Sequence, residues 1–334
     1  MVLTAGERDY LCDFVGVLED RYSKFFGEIV MVSKISGLEI NSSNLLVTGS
    51  KGSVVVKLLG NNEVINHSSQ VSIYRQIAKL DLPAPKILGE HSGNGSGQPF
   101  LVMEYIPGQY FSGSQLDLSL TGSAIKTLHQ GFSDYSGINI PELEVIQDNS
   151  HDILNRFLAT RDHWELKFGP ELELVIRQHI DLVVQTEAIC SDSIAALLEE
   201  KRSVLHMDLH PHNIIVGSGR ATIIDVDSLK ICSWPSVLGF GFYKLARQTL
   251  AKNTIGTNNL AGLRDFFTVI SSDFSSKKNI VEICYLGALT EILRRIIIIF
   301  EGNLDAQVSP WNEVLEIQLR ALTEVPFIFN QYLR

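Results

Sequence analysis

Two hydrophobic rhythms divide the chain. In the first quarter, "EIVMVSKISGLEINSSNLLVTGSKGSVVVKLLG" alternates β-branched runs with Gly, Ser and Asn clusters, so this quarter reads as strand and turn: three strands joined by two tight connections. In "NHSSQVSIYRQIAKLDLPAPKIL" the apolar residues Val71, Ile73, Tyr74, Ile77 and Leu80 keep helical spacing until Pro83 and Pro85 stop it. "QPFLVMEYIPG", residues 98 to 108, is a further short apolar strand ending at Pro107 and Gly108, and the patch "HSGNGSGQP" before it reads as a hairpin loop. From residue 114 the period turns helical through "SLTGSAIKTLHQGF", "HDILNRFLATRDHW" and "PELELVIRQHIDLVVQTEAI". Two strand-like runs around residues 204 to 230 interrupt it, and helices then continue to the C-terminus. The expectation is an α+β chain with a small β-rich lobe and a large helical one, for which 334 residues are ample.

Composition acts mainly by exclusion. With 45% hydrophobic and 20% charged residues the chain is ordinary globular material. Its net charge of −10, without a basic patch, leaves nucleic acid a poor partner. The longest apolar run, "IIIIF" at 296 to 300, falls far short of the roughly 20 residues of a membrane span and reads as a buried helix turn. "MVLTAGERDYLCDF" lacks the basic-then-apolar pattern of a signal peptide. Cys12, Cys190, Cys232 and Cys284 include no C-x-x-C, so neither a zinc ribbon nor a disulfide framework is expected, and a reducing, cytoplasmic address follows. Between 109 and 200 there are 15 acids and 5 basic residues. Solvated helix faces are the plainer account of that excess, and a pocket for a cationic substrate the sharper one.

Candidate chemistry concentrates in "HMDLHPHN". It fits H-x-D-x-x-x-x-N, with Asp208 and Asn213 five apart, and Asp225 of "TIIDVD" follows twelve residues after Asn213. Transfer of a phosphoryl group needs a carboxylate to orient an attacking hydroxyl and oxygen ligands to hold Mg2+ against the phosphates. Asp208 suits the first task, Asn213 and Asp225 the second. Lys57, in the apolar strand "SVVVKLL", is costly to bury unless an anion such as phosphate meets it. Each carboxylate alone would read as a turn or cap residue; it is the joint spacing that points to phosphate. His206, His210 and His212 have spacings that also occur in zinc sites, but on a strand-to-loop segment their side chains need not converge, and a loop-positioning role is preferred. His129, Trp164 and Trp234 read as packing residues. "GSKGS" at 49 to 53 lacks the Walker spacing, and "GNGSG" at 93 to 97 and "GFGF" at 239 to 242 read as turns.

Taken in order, "SGLEINSSNLL", "VVVK", "LDLPAPKIL", "LVMEYIPG", "AIKTLH", "HMDLHPHN" and "IIDVD" resemble the aminoglycoside phosphotransferase and choline kinase family, small-molecule kinases of the protein-kinase-like two-lobe fold. The resemblance implies a nucleotide-binding lobe over 1–105, a hinge at about 103–108, and a helical lobe over 109–334 that carries the catalytic loop 206–213 and the metal-binding segment 223–227. Ser42, Ser43 and Asn44 would cover the phosphates, Lys57 would contact the inner ones, and the main chain of Met103 and Tyr105 would pair with adenine. Asp208 would be the base, Asn213 and Asp225 the Mg2+ ligands, Asp227 an assistant to loop or metal, and His206 structural. Gln70 stands where the family's helix glutamate usually steadies the lysine, with Glu63 an earlier substitute. The implied activity moves the γ-phosphate of ATP, or alternatively GTP, to a hydroxyl of a small acceptor, a cationic one such as an aminoglycoside or amino alcohol. Gln70 motivates the rival reading, a kinase-like module that holds nucleotide without transfer. A protein kinase proper would need the D-F-G and A-P-E pair, which is absent.

Overall fold

The computed structural model describes residues 5–35, 43–59, 67–92, 99–133, 140, 150–198, 202–252, 259–274, 279–304 and 312–333. The chain forms two compact units. The first takes in Met1–Gly108 and Thr222–Asp227, and the second holds the rest of the described chain.

The first unit opens with a helix where strand and turn were expected. In α1 (Ala5–Phe26) the buried residues Phe14, Leu18, Tyr22 and Phe26 recur every fourth position, which puts them on one face. That stripe covers one side of a five-stranded antiparallel sheet, packing on Val47, Val54, Val56, Phe100 and Val102. Gly27, at φ 81°, ends the helix in the left-handed conformation that glycine adopts without strain. The sheet runs β1-β2-β3-β5-β4, from β1 (Ile29–Lys34), β2 (Ser43–Gly49), β3 (Gly52–Leu58), β4 (Ile87–His91) and β5 (Phe100–Glu104). "GSKGS" is the tight turn of the β2–β3 hairpin, with Gly49 opposite Gly52. Because side chains alternate along a strand, Val54, Val56 and Leu58 face α1 while Lys57 points to the other side. Helix α2 (His67–Leu80) buries Val71, Ile73, Tyr74 and Ile77 and leaves Leu80 exposed. "GNGSG" falls among residues outside the described set, although the strands flanking it pair antiparallel, as a hairpin requires.

Segment 223–227, expected in the helical lobe, groups with the first unit instead. The reason is bonding: the Ile223 amide donates to the Pro83 carbonyl at 2.8 Å, and the ion pairs described below tie Asp225 and Asp227 to Lys57.

The second unit begins with β6 (Gln109–Tyr110), which pairs with β8 (Ile214–Gly217). Helix α3 (Gln115–Ser133) starts in a reciprocal cap: the Asp117 amide donates to Ser114 Oγ, and Ser114 Oγ donates back to the Asp117 carboxylate at 2.8 Å. Helices α4 (Ser150–Ala159) and α5 (Trp164–Leu198) follow, α5 being broken at Gly169 just before Pro170. Trp164 stacks on Phe157 and Trp234 on Phe274, so both tryptophans are core. Strand β7 (Arg202–His206) pairs antiparallel with β10 (Leu229–Ser233), and β9 (Arg220–Ile223) follows β8 in sequence. Helices α6 (Trp234–Lys252), α7 (Asn259–Ile270), α8 (Ile280–Leu304) and α9 (Asn312–Tyr332) complete the unit. "IIIIF" lies in α8, with Ile296, Ile297, Ile299 and Phe300 buried. Among the described residues no helix is long and apolar enough to cross a membrane.

"GFGF", read as a turn, is helical and serves close packing. A Cβ on Gly239 of α6 would sit 2.0 Å from the Cys284 carbonyl oxygen of α8, and one on Gly287 of α8 would sit 2.4 Å from the Pro235 carbonyl carbon. The two helices therefore meet backbone to backbone. Gly239→Ala should cost about 3 kcal/mol by forcing them apart, measurable as a lowered midpoint in urea. An unchanged midpoint would contradict this packing.

Candidate active site

One group of candidate side chains gathers in the first unit. Lys57, opposite Asn44 of β2 and Leu101 of β5, is almost wholly buried. Its Nζ lies 2.9 Å from Asp225 Oδ1 and also donates to Asp227 Oδ2. Burial opposes the ammonium, but Asp227 and Asp225 outweigh it and hold its pKa well above the usual lysine range. Asp225 adopts φ 57°, a conformation sparsely used by residues other than glycine and common at functional sites. The second oxygen of Asp227, Oδ1, is buried and has no hydrogen-bond partner among the described residues. Leaving a carboxylate oxygen so is expensive, and a hard cation would satisfy it.

Tyr74 belongs to this group, and the sequence reading counted it only as apolar. Fully buried on α2, its phenol is pushed well above the usual range by burial and by the adjacent Asp227. A buried tyrosine hydroxyl needs a polar neighbour; nothing in the helical period could say that a carboxylate would meet it. Gln70 sits in α2 one turn earlier, but its side chain lies outside the described residues, as do Glu63, Ser42 and the side chain of Ser43. In the hinge, Met103 is inside β5, paired with Val55 and Ile87, so its main chain belongs to the ladder. Tyr105 lies past the strand's end.

A second group stands on segment 206–213 of the second unit. Buried His206 ends β7; its amide faces His129 Nε2 at 3.4 Å, and its Nδ1 accepts from the Asp208 amide at 3.3 Å. The Met207 amide donates to Ser228 O, and Asn213 Nδ2 donates to the Asp208 carbonyl at 2.9 Å. Asn213 thus commits its amide nitrogen to the loop, leaving its side-chain oxygen as the group available to a ligand. Asp208 meets Lys244 Nζ of α6 at 2.7 Å, His210 Nε2 at 3.3 Å and Arg295 Nη2 of α8 at 3.7 Å. Although burial alone would raise its pKa, Lys244, His210 and Arg295 hold it well below the usual carboxylate range, so it is ionised at neutral pH. Lys244 and Arg295 escaped the sequence reading, since both lie far along the chain from Asp208; His210, read as a loop-positioning residue, meets the Asp208 carboxylate.

The histidines do not form a metal cluster. Among the described residues no group of three or more His, Cys, Asp or Glu is placed to hold a metal ion. His129 is instead a neutral packing group, lowered to about 3 by burial and then by His206. Below about pH 6.5 the unfolded chain binds a proton there that the folded chain refuses, so stability falls by about 1.4 kcal/mol per pH unit until the folded-state value is reached. Urea titrations at pH 7, 6 and 5 should show this slope in the native protein and its loss in His129→Gln. Equal slopes would contradict the assignment.

A five-stranded sheet with a buried lysine bound to two aspartates, joined in one chain to a helical unit with an H-x-D-x-x-x-x-N loop, is the architecture of protein-kinase-like phosphotransferases. The family model of the phosphotransferase enzyme family matches residues 32–231, and the chain belongs to that family. No curated protein sequence matches it. Solved structures of the same fold include spectinomycin phosphotransferase APH(9)-Ia in complex with ADP and spectinomycin, at TM-score 0.68 and 12% identity, covering 96% of this chain and 98% of the other. A choline kinase from Streptococcus pneumoniae aligns at TM-score 0.58 and 16% identity, covering 94% and 99%. An ethanolamine kinase of Plasmodium vivax aligns at 0.59 and 14%, covering 96% and 89%.

Proposed function

We propose that this phosphotransferase moves the γ-phosphoryl group of ATP, with GTP as the alternative donor, to a hydroxyl of a small molecule. The observation that carries this reading is the Lys57 group: a buried ammonium shared by Asp225 and Asp227, the latter keeping one buried oxygen unmatched. Lys57 can exchange part of its carboxylate pairing for the inner phosphates of a nucleotide. The main chain around Tyr105, outside the β5 ladder, suits adenine better than that of Met103. Ser42, Ser43 and Asn44 are assigned to the outer phosphates on the family resemblance.

The donor set fits Mg2+. Asp225 and Asp227 offer carboxylate oxygens, the ligands this cation prefers, few enough to leave positions for water and phosphate, and Asn213 is assigned to the same ion on the family resemblance alone. When bound, the ion supplies charge neutralisation at the phosphates. Asp208 orients the acceptor hydroxyl. As the acceptor oxygen bonds to the γ-phosphorus and the bond to the bridging oxygen breaks, the hydroxyl proton passes to Asp208 and the nucleoside diphosphate leaves. Held ionised by Lys244, Asp208 is a weak base, so its work is chiefly aiming the nucleophile, and the proton moves late. The positioned Asp208 loop weighs against a module that holds nucleotide without transferring phosphate.

Calorimetric titration tests the nucleotide half. ATP should bind in the presence of Mg2+ and weaken by about tenfold or more in its absence. Equal affinity with and without the ion would remove the metal assignment.

A further inference from the structure

The surroundings of Asp208 carry more positive charge than Asp208 requires. Lys244 and Arg295 both lie against the ring of Phe240, 4.5 Å from its centroid, and both face the same carboxylate oxygen. Arg295 is fixed from behind: its Nε donates at 2.7 Å to Glu291, which is fully buried and also takes two hydrogen bonds from Arg294. The group therefore holds three cations, Lys244, Arg294 and Arg295, against two carboxylates, Asp208 and Glu291.

Glu291 is used up by the two arginines. The Nη atoms of Arg295 form no hydrogen bond with a described residue, and Nη2 lies 3.7 Å from Asp208 Oδ1. A planar fork, held rigid by a buried carboxylate and presented beside the catalytic base, is the geometry that binds carboxylates and phosphates. Several acids of residues 109–200, by contrast, already have partners within that segment. Asp117 caps α3, Glu173 pairs with Arg177, Asp152 with Arg156 and Glu187 with Ser191.

Resting on the kinase reading above, we infer that Lys244 and Arg295 recognise an anionic group of the acceptor. The substrate is then a hydroxylated carboxylate or phosphate ester and not a polycation. The acceptor's anion takes the outer face of the Arg295 fork and shares Lys244, which places a neighbouring hydroxyl at Asp208. The same two cations could instead serve the phosphoryl group in transfer, and the test separates these sources.

Binding of matched compounds is measured by saturation-transfer NMR with Mg2+ and a non-hydrolysable ATP analogue: glycerate, glycerol 3-phosphate, glycerol and 3-amino-1,2-propanediol, then gluconate, glucose and glucosamine. The anionic members should bind in preference to their neutral and cationic counterparts. Lys244→Met, which keeps an apolar stem over Phe240, and Arg295→Gln, which leaves Glu291 with Arg294, should each weaken that binding about tenfold or more. Preference for amines, binding of no anionic member, or loss of transfer in the variants with acceptor binding intact would each overturn the inference. In those cases retained Mg-nucleotide binding leaves the kinase reading standing; absence of Mg-nucleotide binding overturns that reading instead.

Discussion

Asp208→Asn should lower the rate of phosphoryl transfer by about a thousandfold, within the range expected for removing a positioned acid–base group, while Mg-nucleotide affinity stays within a few-fold of the native value. Asn is the informative replacement because it retains an oxygen to accept from Lys244 at the present 2.7 Å contact. It removes only the charge and the capacity to take a proton. Alanine would also remove the hydrogen-bond acceptor that meets Lys244, mixing a larger folding penalty into the rate. Turnover within tenfold of native would mean that neither the charge of Asp208 nor its capacity to take a proton serves transfer, and its ion pairs would then be structural.

Lys57→Met should act on stability and on nucleotide together. The ammonium is the buried, shared partner of Asp225 and Asp227, and without it two half-buried carboxylates lose their counter-ion. Removing one member of a buried charge group costs about 3–5 kcal/mol, so the free protein should unfold at markedly lower urea. ATP affinity should fall about tenfold or more in the same variant, since the inner phosphates lose their cation. Lys57→Arg keeps the charge and should recover most of the stability. Superimposable unfolding curves for native protein and Lys57→Met would show that the group is not coupled to folding.

What the chain revealed in advance followed from how local each signal was. Strand alternation and the spacing of Val71, Ile73, Tyr74 and Ile77 reflect one element burying one face, and such patterns are legible without tertiary knowledge. The stripe Phe14, Leu18, Tyr22 and Phe26 was equally legible and was missed because the strand-like run from Glu28 dominated the first quarter. "GFGF" misled because glycine signals both turns and close helix contacts, and only the partner helix, here Cys284 of α8, decides between them. Asp208, Asn213 and Asp225 stood out through their spacing, which expresses the geometry of one loop. Tyr74, Lys244, Arg295 and Glu291 did not, because their meaning comes from the carboxylates they meet across large sequence separations.

The proposed activity is metal-dependent transfer of phosphate to a small hydroxyl compound. Its most direct test is a single-turnover assay with γ-labelled ATP and Mg2+, using pooled aminoglycosides, amino alcohols, sugars, hydroxy acids and sugar phosphates, with native protein and Asp208→Asn side by side. Labelled acceptor is expected with the native protein, none above background with the variant, and no product when Mg2+ is chelated. Labelled acceptor formed equally by both proteins, or no acceptor labelled and no nucleotide bound, would contradict it.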